Sequence, residues 1–170
     1  MVLDGHVPGS PLDQKWDKHR FELKLVNPAN KRKHTVIVVG TGLAGASAAA
    51  SLAELGYNVL SFCIQDSPRR AHSIAAQGGI NAALTSRGDE WDDHALATVK
   101  GSDYLGDQDA IEIMAQEAGA AIIELEHMGV IFSRDEEGRL GTRRFGGQER
   151  ARTFFVADIT GQAMLHVLHE

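Results

Sequence analysis

Thr35-Val36-Ile37-Val38-Val39-Gly40-Thr41-Gly42-Leu43-Ala44-Gly45 decides how this chain is read. Thr35–Val39 is a β-branched run of the kind a buried parallel strand requires, and Gly40 seals it. Leu43 to Leu55 is Ala-rich and helical, with Gly56 as its stop. Asn58 to Ile64 returns to strand composition, so strand, helix and strand fit within about thirty residues, the start of a doubly wound α/β sheet. Gly40, Gly42 and Gly45 form Gly-x-Gly-x-x-Gly between strand and helix. There Gly40 permits the tight turn, Gly42 lets backbone approach a pyrophosphate, and Gly45 lets helix and strand pack closely. The helix start contributes N–H groups and a positive dipole end, so Gly40, Thr41, Gly42, Leu43, Ala44 and Gly45 are candidate dinucleotide-binding residues. A plain Gly-rich turn is the competing reading. The acidic residue expected on the ribose near the end of the second strand is missing: Leu60-Ser61-Phe62-Cys63 stands there, leaving Ser61 as a weaker hydroxyl partner and Asp66 as a late substitute.

Composition agrees with a folded α/β chain. Of 170 residues, 43% are hydrophobic and 24% charged, with 18 Gly and 4 Pro, which excludes collagen-like, mucin-like and wholly disordered classes. The net charge of −6 is uneven, with seven Lys/Arg against four Asp/Glu in residues 1–34 and ten against nineteen in 35–170. An acidic body argues against a nucleic-acid partner. The single Cys63 forbids an intramolecular disulfide and any multi-cysteine metal site, and a reducing compartment is the simplest reading. Thr35 to Ala53 carries no charge over nineteen residues, but its three glycines and its Ala and Ser content are too weakly apolar for a membrane span.

Outward from the opening motif the chain divides into an irregular arm, residues 1–34, and a body, 35–170. The arm reads as a loosely ordered tail with one helical turn around Leu12–Phe21; the alternative is an arm that packs on a partner subunit through Trp16, Phe21 and Leu23. In the body, Asp92 to Lys100 reads as a short helix. Asp109 reads as the N-cap of a long one, with Glu112 three residues on, and Ile111, Met114, Ala118, Ile122 and Leu125 as its apolar face up to Gly129. Gly119 is a candidate kink. Val130–Ser133 and Leu140–Phe145 flank Asp135-Glu-Glu-Gly138 and predict a β-hairpin. Asp158 to His169 reads as a helix in which the chain ends in mid-element. His166 and His169 lack a third ligand, so no metal is expected. Arg143 and Arg144 could attract a carboxylate substrate, but as paired arginines in an acidic domain they read as surface charge.

Four separated stretches then carry a resemblance: Gly40–Gly45; Arg70-Ala-His-Ser-Ile-Ala-Ala-Gln-Gly-Gly-Ile80; Lys100-Gly-Ser-Asp-Tyr-Leu-Gly-Asp-Gln-Asp-Ala110; and Phe145-Gly-Gly-Gln148 followed by Ala157-Asp-Ile-Thr-Gly161 and Leu165-His166. Over roughly residues 34–170 the sequence resembles the flavoprotein subunits of succinate dehydrogenase and quinol:fumarate reductase. The resemblance implies a Rossmann-like FAD-binding domain, here incomplete and without its capping domain. It implies FAD joined covalently through its 8α carbon to His72, with Ser73, Ala75, Ala76, Gln77, Gly78 and Gly79 against the flavin, and Gln77 and Phe145 near the substrate. A neutral imidazole nitrogen is a suitable nucleophile for such a link.

The same resemblance implies oxidation of succinate to fumarate in the tricarboxylic acid cycle, with electrons passing to an iron–sulfur subunit and on to quinone in membrane anchor subunits. The complex would sit at the cytoplasmic face of a membrane, this chain being peripheral. No catalytic residue is assignable, because the family's proton-shuttle arginine and carboxylate clamp lie later in the chain; the 170 residues alone are expected to be inactive. Fumarate reduction, an L-aspartate oxidase and a non-catalytic nucleotide-binding fragment are the alternatives.

Overall fold

The computed structural model describes residues 9–22 and 26–170. In the arm, a 3-10 turn at Leu12–Gln14 leads into helix α1, Lys15–Glu22, in agreement with the expected helical stretch. Phe21 is exposed there; Leu23 and the side chain of Trp16 lie outside the described residues.

The strand–helix–strand unit forms as read. Strand β1 (Thr35–Val39) and strand β2 (Asn58–Phe62) pair in parallel in the register Thr35 to Asn58 through Val39 to Phe62, joined by helix α2 (Leu43–Glu54). The Gly40 N–H extends the pairing by donating to Phe62 O at 2.8 Å. The expectation of a buried strand is corrected. Val36 and Val38 are half-buried under α2, whereas Ile37 is 61% and Val39 84% exposed. Two strands have two faces and α2 covers only one of them, so the β-branched run that would suit a doubly covered sheet is half-covered here.

A second layer holds the main core. Strand β3 (Ile80–Asn81), β4 (Thr142–Arg143) and β5 (Thr153–Phe154) form an antiparallel sheet in the order β3-β5-β4. Helix α3 (Trp91–Gly101), helix α4 (Gln108–Met128) and helix α5 (Thr160–Leu168) complete the body. Ala82, Ile122, Val130, Phe132, Leu140, Phe154 and Met164 close into one cluster, and Phe132 meets Phe154 edge-on at 6.5 Å between ring centroids. Burying side chains of this size contributes about 1.5–3 kcal/mol each.

Three sequence expectations shift in this layer. Asp107, not Asp109, caps α4: it is extended and accepts the Ala110 N–H at 3.3 Å, leaving Asp109 in the first turn, where its charge suits the dipole. The helix runs unbroken through Gly119, whose missing side chain lets Leu84 and the Ala83 carbonyl approach. Ala115 and Ile122 form the buried face with Ala118 and Leu125 beside them, while Met114 is exposed. The expected hairpin is reduced to a turn at Asp135–Gly138 and one bridge, Arg134 to Leu140. Thr142–Arg143 pairs with β5 instead, because Val130 and Phe132 are drawn into the core and Ser133 N–H donates to Phe155 O.

Candidate flavin site at the seam between the two layers

The glycine loop has the backbone that its sequence demands. Gly40 sits at φ +110°, a region that penalises any Cβ, and a Cβ on Gly45 would lie 1.9 Å from the Gly40 carbonyl oxygen. Outward from Gly40 nothing lies within 4 Å of where a Cβ would stand, so this stretch of backbone is open to approach. The first turn of α2 directs N–H groups that have no intrahelical acceptor toward the same side. One of them, Leu43 N–H, donates to Ser73 Oγ at 3.3 Å. Thr41 is buried, and its hydroxyl donates to Pro68 O at 2.9 Å. The glycine loop and the His72 segment, thirty residues apart in sequence, are thus laced together from both sides.

His72 opens a short 3-10 turn, His72–Ala75, with an exposed imidazole. The segment after it is clamped by the second layer. Gly161 N–H at the start of α5 donates to Ala76 O at 2.8 Å, and a Cβ on Gly161 would stand 2.1 Å from Ser73 O. Only glycine allows that approach. Gly79, at φ +124°, would put a Cβ 2.4 Å from Phe154 O, and one on Gly78 would meet the Phe145 ring at 2.8 Å. The ring of Phe145, half-exposed, therefore lies against Gly78, the residue after Gln77 in the chain. Gln148 holds the turn that presents it, accepting the Phe145 N–H at 3.2 Å and the Thr153 hydroxyl at 3.1 Å.

Two residues set aside in the sequence belong to this assembly. Arg143 is half-buried and donates to Gly78 O and Gln77 O, with Nε to Gly78 O at 3.1 Å; its guanidinium stacks 4.4 Å from the Phe155 ring centroid. The reading as surface charge is corrected for Arg143. Arg144 is exposed and, among the described residues, bonds the nearby Glu149 carbonyl. His169 donates from Nε2 to the Thr41 carbonyl at 3.0 Å, which ties the end of α5 to the glycine loop. Adjacency to the Phe145 motif was the signal for Arg143; for His169 the sequence held none.

Ser61 stands exposed on β2 opposite Val38, and Asp66 is engaged by Arg70 at 2.7 Å. A cavity of about 720 Å³ opens elsewhere, between α3 and residues 146–152, and no site residue named from the sequence lines it. Beside it the buried Asp89 and Arg152 pair at 2.8 Å, and burial, with help from Arg152, pushes the His94 imidazole below its ordinary pKa against the pull of Asp89.

The arrangement fits a dinucleotide that carries a planar ring system. The open backbone at Gly40 and the α2 N-terminus suit a pyrophosphate. Ala75, Ala76, Gly78 and Gly79 carry little or no side chain on the segment that meets Phe145. Gly78 N–H and Gly79 N–H, for which no acceptor is found among the described residues, are donors that a heteroaromatic ring can use.

Known proteins agree with this fit. Residues 35–170 match the family described as FAD binding domain. The chain is 52% identical over 148 residues to the succinate dehydrogenase flavoprotein subunit of Rickettsia bellii, covering 81% of this chain and 24% of that protein. It is 41% identical over 139 residues to the fumarate reductase flavoprotein subunit of Mycobacterium tuberculosis, again covering 81% of this chain and 24% of that one. Among solved structures it resembles the Mycobacterium smegmatis Sdh1 complex with UQ1, with a TM-score of 0.74 at 33% identity over 79% of this chain and 23% of that one. The chain therefore spans about a quarter of the length of the curated relatives it matches. With a family match that runs from the first residue of β1 through α5, the chain belongs to the FAD binding domain family.

Proposed function

We propose that this chain is the flavin-binding part of a succinate dehydrogenase flavoprotein subunit, with residues 1–34 as an arm and 35–170 as the FAD-binding domain. FAD would be held by its pyrophosphate at Gly40–Gly45 and joined covalently to His72. The observation that carries the reading is the lacing of the glycine loop to the His72 segment by Leu43 N–H to Ser73 Oγ and Thr41 Oγ1 to Pro68 O. Under this reading the pyrophosphate end and the ring end of one FAD would rest on neighbouring pieces of backbone.

When bound, FAD would supply an acceptor for the hydride, and so the two electrons, that leave a C–H bond as a CH2–CH2 unit loses two hydrogens and becomes CH=CH. The chain's own residues bind and orient. The α2 N-terminus and Gly42 take the pyrophosphate charge. The Ser73 hydroxyl, which accepts the Leu43 N–H, ties the segment that carries His72 to the start of α2. Ala75 and Ala76 leave room for a ring, Gly78 and Gly79 offer N–H donors at its edge, and Gln77 and Phe145 border the space where a dicarboxylate would lie. Ser61 would contact the ribose only through a weaker bond than a carboxylate gives. Relatives named for fumarate reduction favour the reverse direction as a second reading, on the same residues.

Partners follow from the same reading: an iron–sulfur subunit and membrane anchor subunits with quinone, on the cytoplasmic face of a membrane. Among the described residues no helix is long and apolar enough to cross a membrane. The test is anaerobic addition of succinate to the native flavoprotein that carries this chain. Bleaching of the oxidised flavin absorbance, restored by fumarate, is expected; flavin that neither succinate nor fumarate affects would overturn the assignment.

A further inference from the structure

Arg143 touches more of the site than any residue the sequence put forward. Its Nε and Nη2 reach Gly78 O, at 3.1 and 2.5 Å; Nη2 also reaches Gln77 O at 3.3 Å and Ala157 O at 3.4 Å. The guanidinium lies 4.4 Å from the centroid of the Phe155 ring and 5.9 Å from that of Phe145. It therefore joins the His72–Gly79 segment, the Phe145 turn and the Ala157 turn, where Ala157 adopts φ +43°, uncommon for a residue with a side chain.

The consequence lies in the peptide planes. No peptide bond among the described residues is cis, and in a trans peptide the C=O and the next N–H point in opposite directions. Drawing Gln77 O and Gly78 O toward one guanidinium turns Gly78 N–H and Gly79 N–H to the opposite face. Neither N–H has an acceptor among the described residues, and β3 takes up its ladder only at Ile80. Two adjacent donors are held outward by a cation behind them, beside Gln77 and the Phe145 ring.

We propose that Arg143 is a positioning residue of the flavin site, which fixes the Gln77–Gly79 backbone so that its two N–H groups face the ring and stabilise negative charge gathering on it. The inference rests on the flavin reading above. A lysine in its place keeps the charge but lacks the planar fork that reaches two carbonyls at once.

The experiment uses the native flavoprotein with Arg143→Lys, with Phe155→Leu, which removes the stacking surface but leaves the hydrogen bonds, and with Arg144→Gln as a neighbouring control. Readouts are the visible spectrum and midpoint potential of the bound flavin, and KM and kcat for succinate. For Arg143→Lys the account expects a more negative potential, an altered flavin band and a KM raised about tenfold or more, since hydrogen bonds to a charged group are worth that much. Phe155→Leu should move the same quantities the same way by less, and Arg144→Gln should leave them alone. Arg143→Lys with wild-type spectrum, potential and KM would overturn the proposal. If Arg143→Lys fails to fold, Phe155→Leu decides, and an unmoved potential there overturns it as well. Wild-type flavin unresponsive to succinate would instead refute the functional reading, a separate result.

Discussion

The β1–α2–β2 unit and the α4–β5–α5 layer are built from similarly apolar residues and differ in what covers them. In the first, Ile37, Val39, Leu60 and Phe62 are each more than half exposed; in the second, Ile122, Phe154 and Leu165 are wholly buried. The first unit is held by a parallel ladder and one helix, the second by side chains that interlock from three directions. Conformational stability in this chain therefore resides in the second layer, while the glycine loop proposed for the pyrophosphate belongs to the first. The candidate site lies on the seam, where α5 reaches back to Ala76 through Gly161 and to Thr41 through His169.

The largest test of that division is a pair of truncations. Phe154→Ala should cost about 3–5 kcal/mol through the cavity it leaves, whereas Ile37→Ala, at an exposed position, should fall within about 0.5 kcal/mol of wild type. Urea unfolding of the two variants checks this, and equal losses would break the comparison. Next comes the seam itself. Gly161→Ala forces a Cβ against Ser73 O and should cost about 1–3 kcal/mol by overpacking. Flavin retention should fall with it, because the α5 start can no longer support Ala76. Parallel measurement of thermal stability and flavin content would sharpen the picture; lost stability with full flavin retention would mean that the site does not depend on α5.

Much of the first unit could be read without coordinates, because its signals are local. A β-branched run, a glycine turn and an Ala-rich helix each depend on neighbours within a few residues, and β1 and α2 appear where the sequence puts them. Burial did not transfer, since it depends on how many elements cover a sheet, and Ile37 carries no mark of that. In the second layer the errors are those of long-range choice. Thr142–Arg143 had two potential strand partners, and the core's demand for Val130 and Phe132 decided between them. At the candidate site Gly42 lies against Ser73 and Gly78 against Phe145, while Arg143, Gly161 and His169 act across more than sixty, eighty and one hundred residues, beyond any periodicity.

Smaller effects test the second layer's details. Asp107→Ala should cost about 1 kcal/mol by removing the α4 cap and Asp109→Ala less; the reverse order, read by chemical denaturation, would restore the sequence-based cap. His94 gives a pH dependence. Its folded-state pKa lies below the ordinary value of 6.5. The unfolded chain thus takes up the proton first as pH falls, and the stability due to a neutral buried imidazole, fully present above that value, is lost below it. Between about pH 7 and 5, His94→Gln should flatten this part of the stability curve. An unchanged slope would mean that His94 titrates alike in both states.

The central claim is that His72 carries FAD, and it is tested most directly by intact mass under denaturing conditions, followed by peptide mapping, on the native protein isolated from its source. The account predicts a polypeptide heavier by one FAD, with the added mass on the peptide containing His72. A polypeptide of unmodified mass, with all flavin released on denaturation, would contradict it.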